Sequence, residues 1–293
     1  MESEAITLSD GRSLGYQCLG DREGIPLFFF HGTPGSRFVL SQEDSIAQIP
    51  GLFIVLAERP GYGISDPKPD RTLLDWPNDI AQLADRLGVD SFAVAGASGG
   101  GPHALACSYM LDQRVTSVFL LASPSPAGFE GATRGMSLGN RLGLLLGQYA
   151  PWLVRSMMRS YASAVTKNPD QFIDAMAKQM APADRELLQE PAIRSAIVRD
   201  LKEAYRQGAS GQVVDSALAM TGRDWGFSLR EVTVPVLLWH GEDDTLVSPN
   251  MARFLAAELP SCIARFLPGA GHLLTEIPEV VEGVKRSLVA RAV

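Results

Sequence analysis

The sequence predicts an α/β protein with a mostly parallel central sheet, flanked by helices and carrying an inserted helical cap. Short runs of Val, Ile, Leu and Phe recur with glycine-bearing ends. They are nearly continuous rather than alternating, as expected of strands covered on both faces. Helical periodicities lie between them, giving a repeated βαβ order. The rhythm breaks after Pro126 and resumes near Val232.

The strands are expected in "IPLFFFHG", "LFIVLAERPG", "SFAVAGASGG", "VTSVFLLASP", "VPVLLWHG" and "IARFLPGAGH". A helix over 76–87 follows from Asp75 as cap, Pro77 in the first turn, and Ile80, Leu83, Ala84 and Leu87 recurring before Gly88. In the strandless interval, Asn168 and Pro169 start a helix through Phe172, Ile173, Met176 and Met180. Ile193, Ile197, Leu201, Ala204 and Tyr205 line another, stopped by Gly208. The expected organisation is a core of 1–126 and 226–293 with a cap of 127–225. The Ser-, Pro- and Gly-rich segment 123–135 suits a hinge into the cap. Inserted between two strands, the cap would cover the strand C-termini, where open α/β sheets bind ligands. No internal repeat or low-complexity tract is visible.

Composition narrows the function. With 293 residues, 46% of them hydrophobic, the chain can bury a substantial core. A formal charge of −7 argues against nucleic acid or an anionic membrane as partner. Cys18, Cys107 and Cys262 are too few and too scattered for a disulfide framework or a zinc site and suit a reduced cytoplasm. The acidic start lacks the order of a signal peptide. The segment 142–154, interrupted by Gln148 and Pro151, is too short to span a membrane. A small-molecule substrate and a cytoplasmic monomer or homodimer are expected.

The chemistry is concentrated in "AVAGASGGGPHAL", 93–105. Its glycines fit neither a dinucleotide loop nor a P-loop, and no Lys follows. They fit G-x-S-x-G, with Ser98 between a strand and a helix, the setting of a nucleophile elbow. A serine hydroxyl needs a base, a group orienting that base, and amides aimed at the developing oxyanion. Of the four histidines, His31 and His240 end apolar runs, and His103 lies on the helix after the elbow, not facing Ser98. His272, in a loop after the last strand, remains as the base. The acid should leave a strand end, and "VPVLLWHGEDDTLVSP" offers Glu242, Asp243 and Asp244, the residues favouring Asp244 without closing the choice. Oxyanion donors are expected from the amides of Gly99 and of Thr33, in "HGTPG", where Pro34 prevents helix formation. The cap side chains Trp152, Met157 and Met176 are candidate substrate contacts, hinting at a hydrophobic acyl or aromatic group.

Four blocks, in order, resemble the α/β-hydrolase superfamily: "HGTPGS" its oxyanion loop, "RPGYGISD" its R-G-x-G-x-S-D turn, "GASGG" its elbow, and "GEDDTLV" with "GAGH" its acid and histidine blocks. In that pattern the acid is the third residue after the glycine and precedes x-x-V, which selects Asp244. The chain order of serine, acid and histidine also agrees. The same resemblance makes His31 and Arg59 structural supports. Among cap-bearing members, epoxide hydrolases and dehalogenases carry aspartate at the elbow, whereas this chain has Ser98. Thr33 departs from the H-G-G-P-G of proline iminopeptidases, although Glu186, Glu190 and Glu203 are available to hold an amine. The resemblance implies a Ser98–His272–Asp244 hydrolase acting on a small hydrophobic carboxylic ester or lactone, needing no metal or organic cofactor. Alternatives are a proline-iminopeptidase-like enzyme or a C–C bond hydrolase. A different class is a non-hydrolytic receptor or a cofactor-free enzyme on the same fold.

Overall fold

The computed structural model describes residues 4–41, 46–220, 225–275 and 277–289. Its strands are β1 (Glu4–Thr7), β2 (Ser13–Gly20), β3 (Ile25–Phe30), β4 (Leu52–Ala57), β5 (Phe92–Ala97), β6 (Val115–Leu121), β7 (Val236–Gly241) and β8 (Cys262–Leu267). They form one sheet in the order β1-β2-β4-β3-β5-β6-β7-β8. All neighbours from β4 onward in that order are parallel. β1 and β2 pair antiparallel at one edge.

The six apolar runs all form strands, and their near-continuous hydrophobicity has a simple origin. Phe28 and Phe30 pack on one face of the sheet while Leu27 and Phe29, one residue out of phase, pack on the other. Each such side chain removed from water stabilises the fold by about 1.5–3 kcal/mol. The first face is covered by α1 (Trp76–Leu87), α2 (Gly101–Met110) and α9 (Pro249–Glu258), the second in part by α10 (Pro278–Val289). The hairpin of β1 and β2 was not expected from the sequence. β1 is four residues long and β2 carries Gln17 and two glycines, so neither forms an apolar run.

Helix α1 has the predicted bounds and buries Ile80, Leu83 and Ala84. Asp75 does not cap it, however: that residue is already helical, and its carboxylate accepts from Thr72 N at 2.7 Å and pairs with Lys68 at 2.7 Å. It caps the preceding single turn instead.

Between β6 and β7 the chain forms α3 (Leu138–Tyr149), α4 (Pro151–Lys167), α5 (Pro169–Ala177), α6 (Pro182–Leu187), α7 (Pro191–Ala204) and α8 (Ser210–Met220). Residues 221–224, near the end of the expected cap, lie outside the described residues. Asn168 caps α5 as expected, its side chain accepting from Gln171 N at 3.2 Å. Val165, Ile173, Met180, Leu188, Leu201 and Tyr205 give the insert a small core of its own, against which Leu246 and Leu273 pack. The segment 123–135, expected as a hinge, is packed at several points and exposed at Gly128, Glu130, Arg134 and Gly135. Ser123 and Ser125 are fully buried, Ala132 clusters with Val247 and Met251, and Phe129 stacks on Phe254 at 4.5 Å. Its small residues allow close approach as readily as flexibility.

Candidate active site

The strand order reverses between β3 and β5, so the connections leaving their C-terminal ends run in opposite directions and leave a crevice above the sheet. The loop 31–35 leaves β3 there, and Ser98 leaves β5. Ser98 is half-buried with φ of 50°, a left-handed conformation that costs a non-glycine residue about 1–2 kcal/mol. Close packing holds it. A Cβ at Gly96 would run into the backbone of Gly100, and one at Gly100 into the Phe30 carbonyl. The strand can therefore turn into α2 within a residue or two, leaving the serine hydroxyl at the positive end of that helix.

The loop after β3 comes up against this turn. A Cβ placed on Gly32 would lie 3.5 Å from Ser98 Cβ, and one on Gly99 would lie 3.4 Å from Thr33 N. The amides of Thr33 and Gly99 therefore share one corner. Arg59 stitches the loop from behind, donating to the carbonyls of His31 and Gly32 and, at 3.1 Å, to Thr33 Oγ1. The buried His31 ring accepts from Arg59 N at 3.2 Å and is held neutral, burial and then the Arg59 charge pushing its pKa well down. His103, donating to the Gly99 carbonyl at 3.0 Å, is pushed down to about 3 by burial and then by Arg59.

At the ends of β7 and β8 stand Asp244 and His272, 28 positions apart, with His272 Nδ1 2.7 Å from Asp244 Oδ2. The other Asp244 oxygen accepts from the amides of Leu246 at 2.8 Å and Val247 at 3.0 Å. Asp244 is 1% exposed, whereas Glu242 and Asp243 are exposed. Burial alone would raise the Asp244 pKa, but the adjoining His272, supported by His240 with its Nε2 3.3 Å away, holds it far below the usual carboxylate range. The converse holds at His272: burial lowers its pKa, and the Asp244 charge and hydrogen bond outweigh burial to raise it above 6.5.

Ser98, Thr33, Gly99 and His272 line one cavity of about 1710 Å³, roofed by the insert. Met157 and Met176 lie in its wall, with Met158, Phe172, Met180 and Leu201. Trp152 does not: it is 72% exposed. The wall side of α4 begins at Val154, and two residues back is about 200° round a helix, the opposite face. Glu186 and Glu190 are exposed, and Glu203 is paired with Arg37 at 2.8 Å, so none of the three faces the cavity. Among the described residues, no group of three or more His, Cys, Asp and Glu is arranged to hold a metal. No helix among them is long and apolar enough to cross a membrane.

A family model described as the alpha/beta hydrolase fold matches residues 25–276. The chain belongs to that family. The α/β-hydrolase is 26% identical to a non-heme chloroperoxidase of Streptomyces lividans, over 94% of this chain and 95% of the relative. It is equally similar, at 26%, to a bifunctional esterase/perhydrolase of Acinetobacter calcoaceticus, over 87% of each chain. A thermophilic esterase from Thermogutta terrifontis superposes with a TM-score of 0.70 over 99% of both chains at 20% identity, a likeness of fold.

Several residues that shape the site of this α/β-hydrolase were not singled out in the sequence. Asp184 of α6 accepts from the amides of His272 and Leu273, each at 2.9 Å. Asp200 of α7 accepts from Ser36 N at 2.8 Å and Oγ at 2.6 Å. Burial pushes the Asp200 pKa up to about 7 against those bonds. Asp215 of α8 pairs with Arg59 and Arg71, each at 2.7 Å. All three are ordinary acidic residues on amphipathic helices, and the only cue is local: Asp215 and Asp200 fall on the otherwise apolar sides of their helices.

Proposed function

We propose that this α/β-hydrolase cleaves hydrophobic carboxylic esters or lactones through an acyl-enzyme, with the insert acting as a cap over the site. The observation that carries the reading is the Asp244–His272 pair at 2.7 Å, its carboxylate buried and its imidazole lining the cavity that Ser98 lines from a left-handed turn. Ser98 Oγ attacks the carbonyl carbon while His272 Nε2 takes its proton. The carbonyl electron pair moves onto oxygen, and the amides of Thr33 and Gly99 hold that charge. Collapse expels the alcohol, which takes the proton back from His272. Water, deprotonated by the same imidazole, then releases the acid. Asp244 fixes the ring and stabilises the imidazolium.

The test is labelling with a fluorophosphonate, mapped by peptide mass spectrometry, alongside rates on p-nitrophenyl acetate, butyrate and octanoate. Modification at Ser98 with turnover of an ester is the expected result. Given the methionine-rich wall, kcat/KM should rise from acetate to octanoate. Absence of label from Ser98 would end the acyl-enzyme reading.

The pH profile follows from the site. The base must be neutral to act, and its pKa is raised, so kcat/KM should climb through an inflection above pH 6.5. Asp244→Asn removes the main cause, and the inflection should move to lower pH. Stopped-flow rates in buffers of constant ionic strength read both.

A further inference from the structure

We propose that Asp184, carried by the helical insert, is a positioning residue for His272: its carboxylate fixes the backbone of the histidine loop and sets a second negative charge beside the imidazole. The inference rests on the reading of His272 as the base. Asp184 is 1% exposed, and each of its oxygens takes one amide, Oδ2 from His272 and Oδ1 from Leu273, both at 2.9 Å. Two parallel N–H···O bonds to one carboxylate fix both the distance and the tilt of the peptide that bears the ring.

The chain is shaped for this contact. A Cβ on Gly271 would collide with both Asp184 oxygens, so the glycine before the histidine is what lets the carboxylate reach the amides. Leu273, next along, packs with Ile173, Leu188 and Leu201 of the insert. The loop is thus held by a polar and an apolar contact from the same body. Two charged groups act on the imidazole: Asp244, from the loop after β7, on Nδ1, and Asp184, from α6, through space and along the backbone. His240, from β7, approaches the same Asp244 oxygen as the His272 ring, its Nε2 3.3 Å away. Both carboxylates favour the imidazolium that forms as Ser98 attacks, so an insert residue contributes to the base by holding its backbone amide and by its charge.

Asp184→Asn keeps the shape but removes the charge and leaves one amide facing an NH₂ group. The His272 ring is followed by ¹H–¹⁵N NMR as a function of pH in the wild type, Asp184→Asn and Gly271→Ala. The midpoint in Asp184→Asn is expected to fall by about half a unit to one unit. The acid limb of kcat/KM should fall with it, and kcat at pH 8 should drop roughly tenfold, with KM within about twofold. Gly271→Ala, which crowds the carboxylate off the amides while leaving its charge in the protein, should reproduce the loss of kcat. A midpoint within about 0.2 units of wild type in Asp184→Asn, with kcat within twofold, would overturn the proposal. Should Ser98 take no fluorophosphonate in the wild type, the acyl-enzyme reading fails separately, because the NMR arm needs no turnover.

Discussion

Ser98→Ala is expected to lower kcat/KM on the preferred ester by about four to six orders of magnitude, with the fold and its melting temperature nearly unchanged. On the proposed acyl-enzyme route, removing Oγ takes away the attacking atom, so the covalent path is lost and His272 and Asp244 have nothing to activate. What remains is whatever the amides of Thr33 and Gly99 do for direct attack by water, a residual of about 10³–10⁴ over the uncatalysed rate in sites of this kind. The strain at φ 50° persists in the variant, since alanine and serine share the same steric limits. Progress curves with the wild type diluted to one part in a million set the detection floor. A loss smaller than a hundredfold would mean that water, not Ser98, attacks in the native protein.

Asp215→Ala is expected to be the most destabilising single substitution in the insert, costing about 3–5 kcal/mol. The Arg59 and Asp215 side chains are wholly buried and that of Arg71 is 3% exposed, so two guanidiniums would lose their one shared counter-ion. On the proposed oxyanion role of the Thr33 amide, a loss of rate is expected as well. Asp215 orients Arg59, Arg59 holds the His31 and Gly32 carbonyls, and those carbonyls set where the Thr33 amide points. Urea denaturation followed by tryptophan fluorescence measures the first effect. A drop in kcat beyond that of a variant matched in stability measures the second. A cost below about 1 kcal/mol would show that water or rearranged carbonyls neutralise the arginines.

The parallel strands were legible because burial on both faces removes alternation, leaving runs such as "FIVLA" that few other environments tolerate. Ser98, Thr33 and Gly99 were legible because a tight turn demands small neighbours in sequence, and the structure brings all three to one cavity wall. The residues favoured Asp244 over Asp243 without closing the choice, because adjacent positions differ in which faces inward; in the structure Asp244 is buried and Asp243 exposed. Asp184 and Asp215 left still less trace. Asp184 meets His272 across 88 positions and Asp215 meets Arg59 across 156, and a contact of that range has no local spacing to betray it. Trp152 departed in the opposite sense: it was expected with the methionines as a substrate contact from the apolar character of the cap, whereas its angular position on α4 turns it to solvent.

Asp184, Asp200, Glu203 and Asp215 all reach from the insert onto loops at the sheet's C-terminal edge, meeting His272, Ser36, Arg37 and Arg59. The roof of the cavity is therefore not a detachable module that evolution or an engineer could trade freely for a relative's. A transplanted roof lacking these acids would strand Arg59 and Arg71, leave Arg37 to Glu58 alone and slacken the histidine loop, whatever substrate its inner wall was chosen to fit. The heritable unit is the roof together with the three loops it seats, and a graft that respects that boundary is the one that should keep both its stability and its rate.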